Sequence, residues 1–404
     1  MLYQAYQTQS DLMEPVRGLA RTVLATYRSL VGAGDSALWR NLAAAWELVA
    51  RARLTHVRPS YGIDSITVGN REVPVTEEPS LVTPFGTLLH FRKDIQVAQP
   101  RVLVVAPLSG HFATLLRGTV RTQLPDHDVF ITDWHNARDV PLSNGRFGLD
   151  EHVEHLIRFL EAIGPGGHVL AVCQPCVQVL AAVSVMAENR NPAQPHSMTL
   201  MAGPVDVRIN PTRVNELANG HPIEWFEDNL ITSVPWRHDG AGRRVYPGFL
   251  QLYAFMTMNM ERHVKAHREL YDHLAAGEDE KAAAITQFYD EYFAVLDLSA
   301  EFYLETVRDV FQQALLPKGE LTFRGRRIDL RAIRRTALLT VEGERDDICG
   351  LGQTAAAHDL CTGLRPYRKR HHLQPGVGHY GVFSGRRWES QIYPIVRNMM
   401  LANE

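Results

Sequence analysis

The chain has 404 residues, 45% hydrophobic and 22% charged, which is too apolar for a disordered protein and enough for a sizeable core. Lys and Arg total 42 against 45 Asp and Glu, a net charge of −3, so no basic excess points to nucleic acid as the main partner. No uninterrupted apolar run of ~18 residues marks a membrane span, and four cysteines neither build a disulfide scaffold nor suggest an oxidising compartment. The opening MLYQAYQTQSDLMEP lacks the basic-then-apolar order of a secretory signal and is no typical transit peptide; the expectation is a cytoplasmic protein.

Apolar residues at three- and four-residue spacing predict helices over Val16–Leu30 and Leu38–Leu54. From Ser65 to Lys93 short β-type pieces are broken by Gly69-Asn70, Pro74 and Pro79, which predicts antiparallel strands. Val102–Ala106 is a continuous β-branched run, as expected of a strand covered on both faces in a parallel sheet. A helix-like stretch (Phe112–Gln123), a strand (Val129–Asp133), an amphipathic helix (Leu149–Ile163), a strand (His168–Cys173), a helix (Pro175–Glu188) and a strand (Ser197–Ala202) follow. This alternation means βαβ units. Between about Pro204 and Ile333 the pattern becomes mostly helical and rich in Met, Phe, Tyr and Trp. Strand-and-helix rhythm returns at Ala337–Val341 and Thr354–Cys361, and a strand (Lys369–Leu373), a Gly-rich loop and a helix (Trp388–Leu401) close the chain. The chain therefore divides into an N-terminal helical segment (1–60), a core (61–204), a mainly helical cap inserted into it (205–333) and the rest of the core (334–404).

The junction Ala171-Val172-Cys173-Gln174-Pro175 ends a strand, presents a nucleophile and starts a helix, the layout of a nucleophile elbow. A helix amino terminus favours negative charge, so Cys173 is placed to act as a thiolate. Gln174 offers an oxyanion-stabilising N–H, and Pro175 suits a first helical turn. The flanks are Ala171 and Pro175 where such elbows usually carry glycine. Acidic residues follow the strand at Ala337–Val341, and Asp346 is preferred to its neighbour Asp347 because the acid of this loop usually precedes an x-apolar step. His379 lies in a glycine-rich loop before the last helix. The order Cys, Asp, His is that of α/β-hydrolase triads, and the three groups together suit acyl transfer through a thioester.

VCQPCVQVLAAVSVMA, APLSGHFATLLRGTV, VFITDWHNARDVPL, TVEGERDDI and QPGVGHYGVFSGRRW together resemble the intracellular polyhydroxyalkanoate (polyhydroxybutyrate) depolymerases, over essentially the whole chain. The resemblance implies an α/β-hydrolase fold and a Cys173–Asp346–His379 triad that cleaves stored polyester at a granule surface in the cytoplasm, with neither metal nor other cofactor. In that family the residue three after the nucleophile is small and hydroxylated; here it is Cys176. The polymer is the expected partner, and a homodimer is allowed for.

Other readings are weighed beside these. Cys173 and Cys176 form a C-x-x-C, but thioredoxin-like folds are far shorter and Cys176 reads better as packing. His371-His372 would point to opposite faces of a strand and suits no metal site. Ser109, the rival nucleophile, fits better in the loop that supplies the second oxyanion N–H, that of Leu108. His111 either lines the pocket or is structural, and Trp134, Phe249, Phe255 and Met258 are further pocket candidates. Polyhydroxyalkanoate synthases share the fold, the triad and the Trp134-x-Asn136 signature but usually have glycines beside the nucleophile. Transfer to coenzyme A in place of water, or a non-catalytic granule-binding role, completes the alternatives.

Overall fold

The computed structural model describes residues 2–30, 36–258 and 260–404, with the side chains of Arg28, Leu30 and Met258 outside the described residues. Helices α1 (Leu2–Leu30) and α2 (Ala37–Arg51) lie along one another. Helix α1 starts at Leu2, well before the predicted Val16, and α2 stops at Arg51, short of Leu54. The early start rests on tertiary contacts that local spacing does not reveal: Tyr3 and Tyr6 pack on Phe249, and Tyr3 is buried.

The core begins with antiparallel strands β1 (Ser65–Val68), β2 (Arg71–Val82) and β3 (Gly86–Lys93). Strands β4 (Arg101–Val105), β5 (Asp128–Trp134), β6 (His168–Val172) and β7 (Ser197–Met201) are joined by helices α3 (Arg117–Gln123), α4 (Leu149–Ile163) and α5 (Cys176–Glu188). Every residue of β6 and β7 is buried, Ser197, Thr199 and His168 included, as expected of strands covered on both faces. Helix α5 is apolar all round and buried along nearly its whole length, so it sits inside the molecule.

Residues 205–333 hold helices α6 (Arg213–Asn219), α7 (Ile223–Leu230), α8 (Gly248–Met258), α9 (Met260–Ala276), α10 (Asp279–Tyr292) and α11 (Ala300–Glu305). They also hold a small sheet that the helical periodicity hid, made of β8 (Thr232–Ser233), β9 (Arg244–Tyr246) and β10 (Leu298–Ser299), and a hairpin of β11 (Thr322–Phe323) and β12 (Arg326–Arg327). Strands of two or three residues are too short to display a period of two. The core resumes with β13 (Ala337–Gly343) and β14 (Lys369–Gln374). The helix expected at Thr354–Cys361 is confined to Ala357–Leu360, because Glu342 holds the residues before it in turns by accepting from the amides of Gly352, Thr354 and Ala355.

The nine-stranded sheet runs β1-β2-β3-β5-β4-β6-β7-β13-β14, parallel from β5 to β14 and antiparallel at the other end. Sequential strands leave the centre in both directions, and the central β6 ends in a sharp turn into a helix. This is an α/β-hydrolase fold. Edge strand β14 exposes Arg370, and a charged side chain there blunts an unpaired edge.

The inserted residues are sewn to the core by one extended segment. Val295 N–H donates to Thr55, Leu296 N–H to the Gly110 carbonyl, and Asp297 N–H to Asn136 Oδ1, while Ala137 N–H donates to Asp297. Asp297 is fully buried and accepts from Tyr3 Oη at 2.7 Å and from Gly248 N–H at 2.9 Å, so with its backbone bonds one residue ties α1, α8 and the core together. Burial pushes its pKa up to about 6.

At the end of β7 the chain passes so close to the β6–α5 turn that a Cβ on Gly203 would lie 2.8 Å from the Cys173 carbonyl oxygen and closer still to the Cys176 side chain. The absent side chain is therefore a packing requirement. Gly203→Ala should lower stability by ~1–3 kcal/mol, the range of overpacked cores, and depress activity with it. Denaturant unfolding checks the first effect; a midpoint equal to that of the parent would show that the turn yields.

Candidate active site

Cys173 occupies the left-handed backbone region at φ 65°, one of six non-glycine residues with positive φ among those described. Such a conformation costs roughly 1–2 kcal/mol and survives only where neighbours over-determine it. Here they do: Cys173 N–H donates to Met201 at 2.8 Å, Cys176 N–H returns to the Cys173 carbonyl at 3.2 Å, and Gly203 leaves the necessary room. Pro175, at φ −69°, fits without strain, so a proline flank does not prevent the tight turn. The result lifts the half-buried Cys173 side chain off the carboxyl end of β6. Cys176 is wholly buried, its thiol directed to the Ala171 and Met201 carbonyls, and burial raises its pKa strongly; it is a packing residue.

His379 begins a short helical turn after β14 and is 6% exposed. Its Nδ1 lies 2.8 Å from Asp346 Oδ2, and its ring also interacts with the Cys173 thiol. Burial alone would push the imidazole pKa down; the negative charges of Cys173 and Asp346 outweigh it and hold His379 well above the ordinary histidine range. The other Asp346 oxygen accepts from Ile348 N–H at 2.9 Å and Cys349 N–H at 2.8 Å, an Asx-type turn that aims the carboxylate. Asp347 is exposed and has no such role.

The amides of Leu108 and Gln174 have no hydrogen-bond partner among the described residues, as an oxyanion site requires. The Gln174 side chain is buried, and its amide also lacks a partner among the described residues, a polar group near the site that sequence reasoning passed over. Ser109 is half-buried, and no hydrogen bond joins it to His379 among the described residues.

The pocket candidates divide. His111 is buried, bonded through Nε2 to the Tyr292 carbonyl at 3.2 Å and stacked near Tyr292 and Phe255; burial pulls its pKa down to about 4, so it is a neutral brace. Phe255 therefore sits against the loop that follows β4. Trp134 is a correction: it is 2% exposed, its indole N–H donates to Ala106, and it stacks on His152, so it is core and not pocket. Phe249 is a second correction, buried under α1 against Tyr6 at 4.1 Å between ring centres. The Met258 side chain lies outside the described residues. Among the described residues no group of three or more His, Cys, Asp or Glu could hold a metal, and no helix is long and apolar enough to cross a membrane.

The family model described as "PHB de-polymerase C-terminus" matches residues 202–404, the half of the chain that carries Asp346 and His379. The chain belongs to the PHB depolymerase family. It is a carboxylic ester hydrolase. No curated protein matches the sequence. Among solved structures it is similar to 2-hydroxy-6-oxo-6-phenylhexa-2,4-dienoate hydrolase from Rhodococcus sp. strain RHA1 (TM-score 0.44, 12% identity, 81% of this chain and 99% of that one). It is also similar to the monoacylglycerol lipase of Paleococcus ferrophilus (TM-score 0.41, 11% identity, 76% and 97%).

The two neighbouring acids of this family member should separate on mutation. Asp346→Asn should cost ~10⁴-fold in ester hydrolysis, the penalty of losing the orienting carboxylate in such an arrangement. Asp347→Asn should change the rate only slightly. Steady-state kinetics on a chromogenic ester decides, and the opposite ranking would move the acid by one residue.

Proposed function

We propose that this depolymerase-family chain hydrolyses poly(3-hydroxybutyrate) from within the cell, using Cys173 as nucleophile, His379 as base and then acid, and Asp346 as the group that orients the imidazole. The observation that carries this reading is the position of His379, buried between the Cys173 thiol and the Asp346 carboxylate. With the thiol proton on His379, Cys173 Sγ attacks an ester carbonyl, and the oxyanion rests on the Leu108 and Gln174 amides. Collapse breaks the ester C–O bond, His379 hands its proton to the departing alkoxide, and a thioester remains on Cys173. His379 then deprotonates water, which attacks the thioester and releases the 3-hydroxybutyryl acid with the thiol restored.

No step of this cycle calls on a metal or a cofactor. Residues 205–333 act as a cap over the site, braced against the loop after β4 through Leu296 and Val295. Association with storage granules belongs to the same reading. Leu12, Leu19, Leu38 and Trp39 stand exposed along α1 and α2 and offer apolar surface to a water-insoluble substrate.

The test pairs chemistry with substrate. Cys173→Ala should abolish release of 3-hydroxybutyrate from amorphous polymer, Cys173→Ser should leave a weak residue, and iodoacetamide should inactivate the parent by alkylating Cys173. Retained activity in Cys173→Ala, with loss in Ser109→Ala, would overturn the assignment. Consumption of 3-hydroxybutyryl-CoA would mark a synthase, and a requirement for coenzyme A would mark thiolysis.

A further inference from the structure

Beside the catalytic loops lies a cleft of about 290 Å³ that the proposed chemistry does not use. Tyr380 lines it, and this residue directly follows His379 in the loop after β14. Tyr292 lines it too, and its carbonyl is held by His111 from the loop that carries Leu108. The cleft therefore has one lining residue on the loop that would supply the general acid and another bonded to the loop that would supply the oxyanion amide. Its sides are apolar or aromatic, with Phe288 reaching the surface, and no Asp or Glu lines it. One permanently charged group does: Arg262 on α9, exposed and without a carboxylate partner among the described residues. His263 beside it is occupied, its Nδ1 lying 2.9 Å from Tyr289 Oη.

An arginine left unpaired at an aromatic cleft suits a planar anion, which it can grip with two parallel hydrogen bonds. The substrate class supplies one. Every poly(3-hydroxybutyrate) chain and every oligomer cut from it ends in a free carboxylate. That end lies on the alcohol side of the scissile ester, the side that leaves when His379 gives up its proton. The cleft reaches the His379 loop through Tyr380, which is where the leaving portion must lie. Its volume is at the small end for ligand sites and suits a short segment of one chain.

We infer that this cleft is the leaving-group subsite and that Arg262 binds the terminal carboxylate of the polyester, directing cleavage to short acid-terminated ends. The inference rests on the proposed polyester hydrolysis and adds a polarity to it. The enzyme would shorten chains from the carboxyl end, and it would prefer soluble oligomeric acids to the same oligomers capped as esters.

Two measurements test it. The first compares a 3-hydroxybutyrate trimer with its methyl ester as substrates for the parent, Arg262→Met and Arg262→Lys. The parent should favour the acid through a lower KM. Arg262→Met should reduce that acid-over-ester preference about tenfold, the worth of a charge-assisted hydrogen bond at an exposed site, and Arg262→Lys should restore part of it. The second measures binding of both trimers to the Cys173→Ala protein by calorimetry, where turnover plays no part. Acid bound more tightly than ester, with the difference lost on adding Arg262→Met, supports the inference. Equal handling of acid and ester by the parent, or a preference that survives Arg262→Met, overturns it while leaving polyester hydrolysis standing. A parent that cleaves neither trimer nor polymer overturns both.

Discussion

A single strained residue organises this molecule. Cys173 must stand above the sheet with a side chain, so glycine cannot take its left-handed position, and the surroundings have to absorb the strain. They do so with material already present. Strand β7 supplies the Met201 carbonyl, Gly203 supplies empty space, and α5 begins at once behind the turn. Fixing this turn fixes which way the Gln174 amide faces, and the loops after β4, β13 and β14 then need only converge on the same point. That convergence follows from topology, since parallel strands bring all their carboxyl ends to one edge.

The electrostatics of the site show why it is buried. In water an imidazole between a thiol and a carboxylate would gain little. With the His379 side chain 5% and the Asp346 side chain 1% exposed, each charge depends on its neighbour and the pair is held in register. The same low-dielectric logic recurs at Asp297, where a buried carboxylate is tolerated because Tyr3 and Gly248 both donate to it. One buried acid holds the His379 ring; the other helps hold α1 and the inserted residues to the core.

What could be read from the sequence was whatever is local. A continuous, largely β-branched run marks β4, helix α4 falls on its amphipathic pattern, and the strand–Cys–helix junction is visible in five residues. Asp346 and Asp347 differ by one position, and the His379 contact and the turn through Ile348 and Cys349 separate them physically. Trp134 and Phe249 were misplaced for a related reason. An aromatic side chain near a strand end or in a helix looks the same in sequence whether it faces a cavity or another element. His152 and Tyr6, the residues that decide the matter, come from distant parts of the chain. The short strands β8 to β12 carry no periodic signal, and the cleft bounded by Arg262, Tyr292 and Tyr380 exists only once three separated segments meet.

The central claim is that acyl transfer passes through Cys173, and trapping the intermediate tests it most directly. The enzyme would be mixed with a soluble 3-hydroxybutyrate oligomer, quenched in acid during turnover, digested and weighed by mass spectrometry. The account predicts a hydroxybutyryl adduct on the peptide containing Cys173, removed by hydroxylamine as a thioester is. An adduct on Ser109, or turnover with no adduct under conditions where thioester hydrolysis limits the rate, would contradict it.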